Sequence, residues 1–216
     1  TQGETLVPVD AAGQPLRPFL VWLDGRAGAQ AEALRARLDE TDFYHTTGLP
    51  GIEGALPLAK LRWLAEEEPD LFARTHKVLL LEDYLLFRLT GQMVTEPSLQ
   101  TSTGWFRLDT DGYWAEGLAA AEIPADKLPE LRECGSLAGP LLGEAARQLG
   151  LKAGTPVFTG AMDQTAAALA AGSGNGVVTE TTGTALVAAA VTQTLRFPAG
   201  HPVTLYRHAV KGQYVY

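Results

Sequence analysis

A chain of 216 residues, 46% of them hydrophobic and 8% aromatic, can bury one substantial core or two small ones, which excludes a disordered chain. A formal net charge of −8 argues against a nucleic-acid-binding face, which needs clustered cations to neutralise phosphates. No apolar run approaches the roughly 18 residues needed to span a bilayer, Thr1-Gln2-Gly3-Glu4-Thr5 carries no signal-peptide pattern, and the lone Cys134 excludes an internal disulfide, so a reducing cytoplasm is the expected setting. Twenty-three glycines and runs such as Ala166 to Ala171 fit the close helix-on-strand packing of α/β proteins.

In chain order, Leu6-Val7-Pro8-Val9 reads as a strand, Asp10 to Gln14 as a turn, and Pro18 to Leu23 as the antiparallel partner that completes a hairpin. Helical periodicity predicts helices over 27–38, 57–67 and 83–89, with Arg88-Leu89-Thr90-Gly91 as a glycine-stopped C-terminus. Trp105 to Asp109 is expected to form a short strand before a turn at Thr110-Asp111-Gly112, and 115–121 and 142–149 suit helices. Between about 27 and 130 the expected content is mostly helix and loop. Lys152-Ala153-Gly154-Thr155-Pro156 reads as a linker, which puts a domain boundary near residue 153. Beyond it come a strand at Val157-Phe158-Thr159, an alanine-rich helix over 165–171, and two β-like runs, Val177 to Thr181 and Ala185 to Val191, joined at Thr182-Gly183-Thr184. Gln213 to Tyr216 reads as a terminal strand with an uncovered edge. There is no internal repeat.

Asp163 follows a strand and Gly160 and precedes a helix, so its carboxylate is expected at the carboxyl edge of a sheet, where open α/β folds hold ligands. It could accept a proton from a hydroxyl, or simply cap the helix. Thr182-Gly183-Thr184 could receive phosphate oxygens on exposed N–H and hydroxyl groups, or be an ordinary hairpin turn; the Walker-type phosphate loop is absent from the sequence. Gln2 and Glu4 stand before the first strand, placed to hydrogen-bond sugar hydroxyls or to fray into solvent. Asp24 and Arg26 are spaced for an ion pair that orients their loop. The four histidines lack metal-binding spacing, so no metal site is expected from the protein's own ligands, and Cys134 has no activating base beside it.

Seven stretches occur in an order that resembles the FGGY carbohydrate kinases, a group including xylulokinase, ribulokinase, glycerol kinase and erythritol kinase. They are Gln2-Gly3-Glu4-Thr5, Trp22-Leu23-Asp24-Gly25-Arg26-Ala27, Lys60-Leu61-Arg62-Trp63-Leu64, Glu82-Asp83-Tyr84-Leu85 with Arg88 to Gly91, Gly154-Thr155-Pro156-Val157, Gly160 with Asp163-Gln164, and Gly183-Thr184. The resemblance implies an actin-like, ribonuclease H-like two-domain sugar kinase fold of α/β class, present as an incomplete piece. Residues 1–153 would be the remainder of the N-terminal domain and 154–216 the start of the C-terminal domain. A preceding phosphate loop and a following adenine pocket are expected outside the piece, which alone is expected to be inactive.

The resemblance also implies roles. Asp163 would be the catalytic base, Gln2, Glu4, Asp163 and Gln164 would bind substrate, and Thr182, Gly183 and Thr184 would meet the phosphates of ATP, with Mg2+ bridging them. Gln2-Gly3-Glu4-Thr5 is similar to the Gln-Arg-Glu-Thr stretch of glycerol kinase, with Gly3 in place of its arginine, and Ala55 falls where that enzyme has an aromatic residue. The Met-His pair of typical xylulokinases is absent before Thr5. The implied partners are a small sugar or polyol and ATP, with neither nucleic acid nor membrane, and a homodimer is left open. The leading activity is phosphorylation of a terminal hydroxyl of a ketopentose such as xylulose. A polyol kinase acting on erythritol or glycerol-like acceptors, a non-catalytic sugar-binding protein on the same fold, and an unrelated α/β binding domain are the alternatives.

Overall fold

A computed structural model describes residues 3–172, 177–182, 186–198 and 202–216. The first half is built on β1 (Leu6–Val9), whose four residues are all buried. It is followed by the helices α1 (Gly28–Arg35), α2 (Glu40–Thr47), α3 (Pro57–Glu67) and α4 (Pro69–Arg74), and then by β2 (Lys77–Leu80), which runs directly into α5 (Leu81–Thr90). Short elements come next: β3 (Val94–Thr95), α6 (Pro97–Gln100), β4 (Phe106–Arg107), β5 (Gly112–Tyr113), α7 (Ala115–Ala120) and β6 (Glu130–Leu131). The chain continues through β7 (Leu137–Pro140), α8 (Gly143–Leu149), β8 (Pro156–Phe158), α9 (Asp163–Ala170), β9 (Val178–Thr182), β10 (Leu186–Thr192), β11 (Tyr206–Arg207) and β12 (Tyr214–Val215).

The opening hairpin forms only as isolated bridges, Leu6 to Leu20 and Val9 to Pro15, because Pro15 and Pro18 have no N–H to donate to a ladder. The full partner of β1 is β2, antiparallel, from Leu6 opposite Leu80 to Val9 opposite Lys77. The expected linker at 152–156 leads from α8 into β8, which pairs antiparallel with β7: Leu137 lies opposite Phe158, Pro140 opposite Pro156, and the Gly154 amide donates to the Leu141 carbonyl at 2.9 Å. Backbone pairing thus crosses the division expected near residue 153. The last strand has no bare edge either, since β12 lies between β11 and β10 in the order β11-β12-β10-β9.

The main core gathers β1, α1, α3 and β2 through Leu6, Leu34, Leu58, Leu61, Leu64 and Leu80, with Phe43, Trp105 and Trp114 closing it. Met162, the residue before α9, packs into this same core, which ties the start of α9 to the first half of the chain. Among the described residues no helix is long and apolar enough to cross a membrane.

Polar anchors lie beneath α9. The buried Glu82, near the start of α5, accepts the Gly160 amide at 2.9 Å. Ser98 accepts the Met162 amide at 3.0 Å and donates to Glu96 Oε1 at 2.9 Å, while the Cys134 thiol donates to Glu96 Oε2 at 2.8 Å. Burial pushes Glu96 up to about 7, and it pushes the thiol of Cys134 up to about 12 with the Glu96 charge adding to the effect, so this cysteine stays a thiol. Asp83 is fully buried, accepts the Leu80 amide at 2.8 Å, and is pushed up to about 8 by that burial.

These two acids make stability depend on pH. Each binds its proton more tightly in the folded chain than in the unfolded one, so their contribution is fully present below the unfolded carboxylate range. It is lost as pH rises towards about 7 for Glu96 and about 8 for Asp83. Denaturant unfolding followed from pH 5 to 9 is expected to show stability falling across that window, and Asp83→Asn is expected to flatten the fall.

Candidate active site

Gly3, Glu4, Trp22, Met162, Asp163, Gln164 and Tyr206 line one cleft of about 300 Å³. Four chain segments meet there, and each is positioned by an identifiable contact. Asp163 opens α9 with its side chain exposed. The helix cap position belongs to Met162, which makes no side-chain capping bond, so Asp163 is not the cap. Its Oδ1 accepts the Gln164 amide at 2.7 Å, and its carboxylate stands in the first turn, where the helix dipole favours negative charge. Gln164, half-buried, follows it on the cleft wall.

Glu4 has φ of 65°, a left-handed conformation that is strained for a residue with a side chain. The Thr5 amide closes back onto the Gly3 carbonyl at 2.8 Å, which makes Glu4 the centre of a three-residue turn. Burial raises its carboxyl above the usual range; Lys60 opposes the shift, and the charges of Glu53 and Asp163 add to it. Glu4 and Asp163 are therefore near enough to feel one another across the cleft.

Trp22 is held by its amide, which donates to Thr5 Oγ1 at 3.0 Å, while 47% of its surface stays open beside the two acids. An indole face next to two carboxylates suits the apolar C–H face of a sugar or polyol. Tyr206 arrives from β11, and burial, with the charges of Glu4 and Asp163, pushes its phenol up to about 12, so it remains a hydrogen-bond donor. The Asp24–Arg26 ion pair expected from the sequence forms, with Arg26 Nε 2.9 Å from both carboxylate oxygens and the guanidinium over the Trp63 ring at 4.8 Å. That pair fastens the loop carrying Trp22 to α3 and does not line the cleft.

Of the residues expected to act, Glu4, Asp163 and Gln164 come together in this cleft. Thr182 ends β9 opposite Leu186 in a β9–β10 hairpin, exposed, its hydroxyl donating to Glu180 Oε1 at 2.6 Å. Gln2, Gly183 and Thr184 lie outside the described residues. Trp22, Lys60 and Tyr206 were given no role by the sequence. Lys60 left one signal, since it falls on the apolar stripe of α3 between Pro57 and Leu64, at i+3 from one and i−4 from the other. Tyr206 left none, because a contact distant in sequence brings its segment in: the Leu205 amide beside it donates to the Gly48 carbonyl at 2.9 Å.

The N-terminal domain of the FGGY family of carbohydrate kinases matches residues 1–170. The xylulose kinase of Streptomyces rubiginosus is 34% identical over 194 residues, which is 89% of this chain and 40% of that protein. The autoinducer-2 kinase of Salmonella typhimurium is 32% identical over 167 residues, 74% of this chain and 30% of that protein. Among solved structures, the xylulose kinase from Rhodospirillum rubrum superposes with a TM-score of 0.90 at 33% identity, covering 98% of this chain and 43% of its own. The glycerol kinase of Plasmodium falciparum with ADP, at 20% identity and a TM-score of 0.87, shares the fold. The chain spans about two fifths of the length of the xylulose kinases it matches, and its fold is the N-terminal part of an actin-like sugar kinase. The motif order, the fold and the matched residues agree, and the chain belongs to the FGGY family of carbohydrate kinases.

Proposed function

We propose that the protein to which this chain belongs phosphorylates a terminal hydroxyl of a small sugar at the expense of ATP, with Asp163 as the general base. The observation that carries this reading is the single cleft shared by an exposed aspartate at a helix N-terminus, a strained half-buried glutamate and an indole face. Asp163 takes the proton of the attacking hydroxyl, so that the oxygen gains nucleophilicity as it reacts. Glu4 accepts hydrogen bonds from hydroxyls that do not react, Gln164 donates to the same acceptor, and Trp22 packs on its carbon face. Tyr206 supplies a further donor.

Mg-ATP, when bound, supplies the electrophilic phosphoryl group. Thr182 has a suitable exposed hydroxyl at the hairpin rim, and with Gly183 and Thr184 it would meet phosphate oxygens. The chain in this reading contributes the sugar side of the N-terminal domain and the first hairpin of the second. A changeover later than residue 153, between α9 and β9, is supported by the family match to residues 1–170 and by the separate sheet that β9 opens.

A ketopentose such as xylulose is the leading acceptor, supported by the likeness to xylulose kinases. Glu4 favours a second reading, a polyol acceptor, because a carboxylate at this place resembles the stretch of glycerol kinase quoted above. Steady-state rates of the complete protein on a panel of pentuloses and polyols separate the two.

In the complete protein, Asp163→Asn is expected to lower kcat by about a hundredfold or more with little change in sugar affinity, since the amide keeps the size and loses only the proton acceptor. A variant within about threefold of wild type would remove Asp163 from the chemistry. Glu4→Gln is expected to act on the other constant, raising KM for the acceptor more than it lowers kcat and leaving KM for ATP in place. A shift in the ATP constant alone would show that Glu4 faces the wrong substrate.

A further inference from the structure

Lys60 projects from α3 into the main core and is completely buried. Among the described residues its ammonium makes no ion pair. Instead it donates to three backbone carbonyls: Val21 at 2.8 Å, Glu4 at 3.3 Å and Trp22 at 3.5 Å. A lysine carries three N–H donors. Burying an ammonium whose hydrogen bonds go to carbonyls, with Glu4 and Asp24 acting on it only through space, is costly, and an apolar residue of similar volume in that place would serve packing at least as well. Packing therefore does not explain a lysine here.

The carbonyls it chooses do. Glu4 and Trp22 are two walls of the cleft. They come from segments 18 residues apart in the chain, numbers 4 and 22. The Glu4 segment is the strained three-residue turn, and such a conformation persists only where surrounding contacts over-determine it. The ammonium touches both walls, as the Thr5 hydroxyl that receives the Trp22 amide ties the loop to the residue after Glu4.

We propose that Lys60 is a positioning residue of the acceptor pocket: its ammonium clamps the strained turn at Glu4 to the Val21–Trp22 loop, which sets the spacing between the carboxylate and the indole. This rests on reading the cleft as the sugar pocket. The charged groups facing Lys60 are Glu4, Asp24 and Arg26. Burial brings the ammonium down to about 8, against the raising influence of Glu4 and Asp24, so the clamp loses a proton within a range in which kinetics can be measured.

The test uses the complete protein and two readouts, amide hydrogen exchange and acceptor kinetics. In Lys60→Met, the Thr5 and Trp22 amides are expected to exchange about tenfold faster or more, while the amides of α3 keep their protection. KM for the acceptor is expected to rise about tenfold with KM for ATP unchanged, and Lys60→Gln, which retains an N–H donor, should recover part of both effects. In the wild type, acceptor affinity should weaken as pH rises through about 8, and this step should vanish in Lys60→Met. If the methionine variant fails to fold, Lys60→Gln carries the same comparison. Unchanged exchange at Thr5 and Trp22 in a folded variant overturns the clamp, whatever KM does. A wild type that phosphorylates no sugar overturns the reading of the pocket instead, and the exchange rates then judge the clamp alone.

Discussion

The register of β1 on β2 is the constraint on which the placement of the cleft depends. Leu6 lies opposite Leu80, and one step further the Leu81 amide donates to the Thr5 carbonyl at 3.1 Å. This pairing puts the turn at Glu4 beside the N-terminus of α5. From there Glu82 reaches the Gly160 amide, three residues before Asp163. A slip of one residue would turn every side chain of β1 to its opposite face, and Leu6 would leave the core while Glu4 left the cleft. Buried apolar residues along both strands hold the register, so the core packing and the chemistry are one arrangement.

Around this frame the chain accepts conformations and charges that stability alone would reject. Glu4 is left-handed, Lys60 is an ammonium in the core, and Asp83 and Glu96 are carboxylic acids with little access to water. All four lie close to the cleft or to the segments that support it. Strain and buried charge at these positions are the pattern expected where a preorganised site is kept at some cost in stability.

The sequence was informative where signals are local. Pro57 and the apolar spacing of the following residues marked α3 at the bounds it adopts, and Gly91, with φ of 77°, stops α5 as expected. Strands paired over long distances were not legible. Lys77–Leu80 was missed because its apolar residues run without a break into Leu81 and the helix beyond, and nothing nearby announces a partner some 70 residues upstream. The terminal strand was legible as a strand, but its pairing was not: it was expected to have an uncovered edge, and it lies between β11 and the more distant β10. In the site, the Gly160–Asp163–Gln164 pattern made Asp163 readable, whereas Lys60 had the residue type of a solvated helix position and only its place on the stripe said otherwise.

The two acids of the cleft share a formal charge and differ in surroundings, which is how one pocket can use the same functional group twice. Glu4 is half-buried, locked by its backbone and answered by Lys60, so it can hold a geometry but has little freedom to follow a moving proton. Asp163 is exposed, stands at the end of a helix, and rests on a loop held by Ser98 and Glu82. A carboxylate in open water is a weak base towards an alcohol, and its worth to catalysis grows when a bound acceptor displaces that water. The anchors therefore matter more than the exposure. In the proposed function they would keep Asp163 at a fixed place while its solvent changes, and the proposed Lys60 clamp would keep the acceptor at a fixed distance from it.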